Sequence, residues 1–338
     1  MNTTAKPTAT NGKLFAVAPM MDWTDRHCRY FHRQLSRRAL LYTEMVTANA
    51  VVYGDRQKLL RFHLAEQPVV LQLGGSSPKL LSEASKWGEG FGYSEININI
   101  GCPSDRVQEG RFGACLMAEP GLVADCFAAM HKSVKIPVTV KCRIAIDDQD
   151  EELALQTFVE TVASAGCKTF IIHARKAWLK GLSPKENREV PPLNYNRVLR
   201  LKKSLPDLNI QLNGGLDSIE MARTYLEMLD GVMVGRAAYQ NPWLLSSVDG
   251  LFGAIQPCMA RQDAIEAMKP YIVEQLSRGE PLHRITRHML GLFHSQPGGR
   301  MWRNAISTES CKPGADFSVL RRALDVVEAQ VAKHLEAA

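Results

Sequence analysis

Short apolar runs rich in β-branched residues recur along the first two thirds of the chain, at intervals of about thirty residues. They fall at 15–20 (FAVAPM), 40–46 (LLYTEMV), 69–75 (VVLQLGG), 95–101 (EININIG), 138–144 (VTVKCRI), 169–175 (TFIIHAR), 209–215 (NIQLNGG) and 231–238 (GVMVGRAA). Between most of them lie segments with helical spacing, among them 120–134, 151–165, 195–205 and 218–229. Strands alternating with helices in this number predict a (β/α)8 TIM barrel. The structural competitor is an open doubly wound sheet, which usually has fewer strands and a Gly-x-Gly-x-x-Gly turn after the first. Here the first run ends in Ala18-Pro19-Met20. From about Pro242 the strand pattern stops. The segments 262–278, 282–295 and 318–336 have helical spacing, punctuated by Pro281, Pro297-Gly298-Gly299 and Pro313-Gly314. The pattern therefore predicts a barrel over 13–241 and an all-helical domain over 242–338.

A barrel makes a demand on its strand ends, because the βα loops that carry function gather at the carboxyl ends. Polar residues sit there in nearly every run: Glu44, Gln72, Asn99, Lys141 and Arg143, His173 and Arg175, Asn213. The stretch 95–103, EININIGCP, is the most pointed case. Ile96, Ile98 and Ile100 alternate with Asn97 and Asn99, and Gly101 and Pro103 then end the strand around Cys102. A thiol is thus presented just past a strand end, able to donate a proton or to attack as thiolate. The following segment, 104–117, carries Gly110 and Gly113 among several charges and suggests a lid.

The glycines of Asn213-Gly214-Gly215 and Gly235-Arg236 end the seventh and eighth runs, where barrels commonly bind phosphate through backbone N–H groups. Arg236 adds a charge suited to that anion. Lys141 lies in an otherwise apolar run, so it should point into the barrel mouth. There it could neutralise a charged cofactor ring, form a Schiff base, or pair with a carboxylate such as Glu44. Gln72 and Asn99 supply amides that can read the edge of a flat heterocycle.

The composition is that of an ordinary globular chain, 45% hydrophobic and 22% charged over 338 residues. No run approaches the ~18 apolar residues of a membrane span. The opening MNTTAKPTATNG lacks the apolar core of a signal peptide and predicts a disordered tail over 1–12. Eight cysteines show no Cys-x-x-Cys spacing, so no metal site is expected, and reduced thiols place the chain in the cytoplasm. The net charge of +6 is unevenly spread. Residues 175–189 carry a net +3 and 278–322 a net +5, with Trp178 and Trp302 among the charges. Basic patches with interleaved aromatics suit an RNA backbone with unstacked bases.

Taken together these motifs resemble the tRNA-dihydrouridine synthases, from about Phe15 to the end. The resemblance rests on Ala18-Pro19-Met20, Leu71-Gln72-Leu73-Gly74-Gly75, Asn99-Ile100-Gly101-Cys102-Pro103, Val140-Lys141-Cys142-Arg143, Ile172-His173-Ala174-Arg175, Asn213-Gly214-Gly215 and Val234-Gly235-Arg236. The run 173–195 resembles the A-type subfamily, assigned to uridines 20 and 20a of the tRNA D-loop. The resemblance implies FMN bound by Pro19, Met20, Met21, Gln72, Lys141, His173, Asn213, Gly214, Gly215, Gly235 and Arg236. It implies Cys102 as the acid that protonates C5 of the uracil, hydride delivery to C6, and NADPH as reductant. It points to Asn99, Arg143, Lys185, Arg188, Arg300 and Arg303 as tRNA contacts. No obligate protein partner is implied, and a monomer is expected. Two positions depart from the family pattern: Ala145 stands where Gly is usual, and 299–303 (GRMWR) varies the C-terminal motif. The competing readings are a small-molecule pyrimidine oxidoreductase on the same barrel, a Lys141 aldolase and an RNA-binding scaffold with an inactive barrel.

Overall fold

The structure is a computed structural model and describes residues 12–258 and 260–336. Apart from Gly12, the expected tail lies outside the described residues. Eight strands, β1 (Leu14–Val17), β2 (Leu40–Thr47), β3 (Val69–Gly74), β4 (Glu95–Ile100), β5 (Val138–Arg143), β6 (Thr169–His173), β7 (Asn209–Asn213) and β8 (Gly231–Val234), pair in parallel and in order. β8 closes on β1 from Leu14↔Gly231 to Val17↔Val234. The (β/α)8 barrel is borne out. Helices Pro78–Phe91, Pro120–Ser133, Glu151–Ser164, Tyr195–Ser204 and Ile219–Met228 separate the strands from β3 onward.

Alternation along β4 sorts its side chains between two environments. Ile96 faces out onto helix Pro78–Phe91, and the approach is so close that a Cβ on Gly88 would stand 2.6 Å from Ile96 Cδ1 and 2.8 Å from Leu71 Cδ2. Glu95, Asn97 and Asn99 face in. The barrel interior accordingly has two halves. Ala16, Leu40, Tyr42, Val70, Ile171 and Met233 form an apolar cluster. Against it, Gln72, Asn97 and Thr139 are buried and bonded to one another. Glu95 closes this polar half at the amino end of β4. Burial pushes its carboxyl up to about 7, against the opposing hydrogen bonds from Thr139 and Tyr42.

The chain divides into compact units differently from a boundary at 241/242. One unit holds the chain up to Asp22 with Leu40–Leu216 and Glu220–Gly235. The other gathers Trp23–Ala39, Asp217–Ile219 and the chain from Arg236 on. Helix Arg26–Leu35, which follows β1, thus belongs to the helical unit, and its contacts show why. Tyr30 stacks on Tyr271 at 3.9 Å, Arg26 pairs with Glu280 at 2.6 Å, and His27 Nδ1 lies 2.8 Å from the Tyr271 hydroxyl. At its far end the buried Asp249 carboxylate accepts the Ser36 hydroxyl and the N–H groups of Arg37 and Arg38. The expected helix over 282–295 is shorter, Leu282–Thr286 continued by a tight turn at Arg287–Met289. A helix that the pattern did not predict spans Gly299–Glu309. It buries only Gly299 and, one turn apart, Trp302 and Ile306, with Trp302 Nε1 donating to Met289 O at 2.9 Å.

Three histidines are buried in this unit. Burial lowers His27 to about 4 and His32 to about 3. His27 and His32 both bind a proton in the unfolded chain near 6.5 but stay neutral when folded. Their contribution is therefore complete above about pH 6.5 and falls as the pH drops toward 4 for His27 and toward 3 for His32. Thermal melts should show a midpoint that declines from pH 7 to pH 5, and His32→Gln should flatten that slope. An unchanged slope in His32→Gln would show that His32 does not titrate on unfolding.

Candidate active site

At the carboxyl end of β4 the chain turns on one side chain. Asn99 Oδ1 accepts the backbone N–H groups of both Gly101 and Cys102 at 3.0 Å. Cys102 is half-buried, with Sγ 3.5 Å from Ser104 Oγ, a neighbour that no sequence pattern singles out. The segment after it is ordered into a short helix, Asp105–Glu109, and a tight helical turn, Gly113–Ala118. It folds back so that Ala114 N–H donates to the Cys102 carbonyl at 2.9 Å. Gly113 makes this possible: its φ is +76°, and a Cβ there would stand 2.6 Å from Cys102 O and 2.4 Å from Val107 Cγ1. Gln108 Nε2 ties the segment to Pro103 O and to Leu179 O, both at 2.8 Å.

Strand register brings the other strand-end residues to one level. Asn99 pairs with Lys141, Arg143 with His173, and His173 with Asn213. Lys141 Nζ donates to Asn213 Oδ1 at 3.0 Å, so Asn213, not Glu44, is its partner. Burial and then Arg143 bring the ammonium down to about 8. Burial, with Arg143, Lys141, Arg175 and Arg188, holds His173 well below the usual imidazole range and therefore neutral. After β7, Gly214 and Gly215 adopt φ values of +110° and +66°. A Cβ on Gly214 would stand 2.6 Å from His173 Cδ2, and one on Gly215 would stand 2.5 Å from Leu193 Cδ1. Tyr195 fixes the turn by donating to Gly214 O at 2.8 Å. At the end of β8, the Cβ position of Gly235 is 3.8 Å from Met20 Sδ. Pro19 and Met20 are partly buried and Met21 is exposed.

Arg143 differs from the other proposed tRNA contacts. It is 2% exposed, and Nε donates to Gly101 O at 3.0 Å while Nη1 donates to Lys176 O at 3.0 Å and Asn187 O at 2.8 Å. Three of its five N–H groups thus hold main chain, and the Nη2 edge is what it can offer a substrate. Asn187, buried and not anticipated from the sequence, clamps Trp178 through both its N–H and its carbonyl at 2.8 Å. Lys185 and Arg188 flank Asn187 and are exposed. Arg300 and Arg303 are exposed on helix Gly299–Glu309 in the helical unit, and Arg236 opens the short helix Arg236–Gln240 of that unit.

This donor set fits FMN. The Gln72 amide gives one N–H to Asn97 and accepts one from Asn99, each at 2.8 Å, which leaves one donor and one lone pair for a ring edge of alternating N–H and C=O groups. The positive field at His173 suits an anion, and the β7 turn leaves no room for side chains over its backbone, as a phosphate site requires. Among the described residues no group of His, Cys, Asp and Glu is placed to hold a metal ion, and no helix is long and apolar enough to cross a membrane.

Comparison with known proteins agrees with this geometry. The chain is 57% identical over 317 residues to the tRNA-dihydrouridine(20/20a) synthase of Vibrio cholerae, covering 93% of this chain and 97% of that protein. It is 56% identical over 315 residues to the enzyme of the same name from Escherichia coli, covering 93% and 91%. Against that of Xanthomonas campestris the identity is 54% over 308 residues, covering 91% and 92%. The dihydrouridine synthase family model matches residues 16–328. The chain belongs to the dihydrouridine synthase family.

Proposed function

We propose that this protein reduces the C5–C6 double bond of D-loop uridines at positions 20 and 20a of tRNA, in the cytoplasm, with bound FMN and with NADPH as reductant. The observation that carries the reading is the Cys102 thiol, held by Asn99 at the same barrel level as Lys141, in a site whose donors fit a flavin. Gln72 would bind the ring edge. Lys141 and Asn213 would offset its charge, His173 would lie against it, and the glycine turns after β7 and β8 with Arg236 would take the phosphate. Pro19, Met20 and Met21 would complete the cradle. Reduced FMN would supply the hydride for C6 of the uracil.

The remaining chemistry belongs to the protein. Cys102 Sγ–H donates its proton to C5, and the thiolate left behind sits in the field of Lys141 and Arg143, both of which interact with it electrostatically. Asn99 and the Nη2 edge of Arg143 would orient a uracil that has left its stack. Lys185, Arg188, Arg300 and Arg303 would hold the RNA backbone.

Incubating the purified protein with NADPH and unmodified tRNA should convert uridines 20 and 20a to dihydrouridine, mapped by reverse-transcription stops or mass spectrometry. A yellow protein that leaves every uridine intact would sink the reading. Cys102→Ala should keep FMN and lose turnover by ~10²–10⁴-fold, the usual contribution of a general acid. Unimpaired turnover in that variant would place the proton donor elsewhere.

Flavin binding should carry a pH signature. Burial brings Lys141 down to about 8, and a ring acceptor bonded to its ammonium favours the charged form, so binding takes up a proton above pH 8. FMN affinity should be level from pH 7 to 8 and weaken by up to about tenfold per pH unit beyond. Fluorescence titrations at pH 7 and 9 check this, and Lys141→Met should abolish the difference.

A further inference from the structure

One titratable group in the barrel has no part in the mechanism above. Glu95 lies at the amino end of β4, the opposite end of the strand from Asn99 and the Cys102 turn, yet an unbroken run of side chains joins the two. Thr139 Oγ1 donates to Glu95 Oε1 at 2.5 Å. Asn97 Nδ2 donates to Thr139 Oγ1 at 2.9 Å. Gln72 Nε2 donates to Asn97 Oδ1, and Asn99 Nδ2 to Gln72 Oε1, both at 2.8 Å. Asn99 Oδ1 then takes the N–H groups of Gly101 and Cys102. Every donor in the run points toward Glu95.

We propose that Glu95 is a positioning residue: as the acceptor that terminates this one-way hydrogen-bond chain, it fixes the amide planes of Gln72 and Asn99, and through them the flavin-facing edge and the Cys102 turn. The inference rests on the flavin reading of the site given above.

The argument follows from which group can give and which can only take. A hydroxyl and three carboxamides each both donate and accept, so the groups at the two ends of the run set its direction. Above about pH 7, where Glu95 is ionised, its carboxylate accepts only. It claims the Thr139 proton, and the Tyr42 hydroxyl adds a second donor at 3.3 Å. With its proton committed, Thr139 Oγ1 must accept from Asn97, which points the Asn97 oxygen at Gln72. Each amide above is then set in turn. In the reversed string Asn99 would present its NH₂ to the N–H groups of Gly101 and Cys102, donor against donor. Asn97, Gln72 and Thr139 are buried, so water cannot substitute for a lost partner.

The test compares Thr139→Ser, which keeps the hydroxyl, with Thr139→Val, which keeps the shape without it, and with the near-isosteric Glu95→Gln. Three readouts apply: the visible spectrum of bound FMN, the alkylation rate of Cys102 by iodoacetamide in flavin-free protein, and kcat with KM for tRNA. Thr139→Val and Glu95→Gln should shift the flavin band and change the Cys102 alkylation rate several-fold. They should lower kcat by about 10–100-fold with KM little changed, the scale expected of a misplaced reacting group. Thr139→Ser should match the wild type throughout. If Thr139→Val does not fold, Glu95→Gln carries the test by itself. A wild-type spectrum and alkylation rate in folded Thr139→Val or Glu95→Gln would overturn the proposal, as would Thr139→Ser behaving like Thr139→Val. Wild-type protein that forms no dihydrouridine would sink the functional reading instead, and the alkylation arm would still decide the role of Glu95.

Discussion

The carboxamide of Asn99 is the joint on which the end of β4 and the loop after it depend. Its oxygen takes the two main-chain N–H groups that the end of β4 leaves without a strand partner, and its nitrogen is bound to Gln72. The Gly101 peptide is gripped from its other side by Arg143 Nε, so the residue before the thiol is held at both its N–H and its carbonyl. Each such group, buried and left unbonded, costs roughly 1–3 kcal/mol, so the turn has little freedom to wander. The segment beyond it inherits that rigidity. Ala114 returns to the Cys102 carbonyl, Gln108 ties the segment to the loop after β6, and that loop is in turn held by Arg143.

The same arginine shows how electrostatics and architecture are shared out in the mouth of the barrel. Burial above all keeps the His173 imidazole neutral and brings the Lys141 ammonium down to about 8; Lys141, Arg143, Arg175 and Arg188 add to the first with the same sign, and Arg143 to the second. Cations assembled in this way repel one another, a local conflict of the kind that proteins retain at functional sites. A ligand bringing negative charge relieves the conflict, and a cofactor phosphate and an RNA backbone both bring it.

Much of this was legible in the chain, for identifiable reasons. A strand buried on both faces leaves a dense apolar run, so all eight strands stood out, and a polar residue closing such a run could only be reaching for the barrel mouth. Cys102, Lys141 and His173 were found that way. The interior ladder was not. Asn97 stood only as a polar position alternating with isoleucines, and Thr139 was not singled out, because alternation says which residues share a face but not which face is wet. Arg143 was missed as a structural residue for a related reason: its three acceptors are carbonyls, which carry no side-chain signature. Helix Gly299–Glu309 escaped because Trp302 and Ile306 are the only large apolar side chains that it buries.

Helix Arg26–Leu35 shows a further limit of reading architecture from periodicity. Its place after β1 marks it as a barrel helix, yet what decides where a helix belongs is the set of groups that satisfy its ends and bury its face. The carboxylate that caps its amino end, Asp25, is bonded to His288 at 3.0 Å and Arg287 at 2.7 Å, its buried face stacks on Tyr271, and the N–H groups beyond its carboxyl end are taken by Asp249. All of these partners lie more than two hundred positions further along the chain. The helical unit is therefore not a domain appended after the barrel but one closed around a segment supplied from the first βα connection, and a cut at 241/242 would leave that helix with none of these partners. Residues from β1 onward and from β8 onward must both be in place before the unit can complete its core.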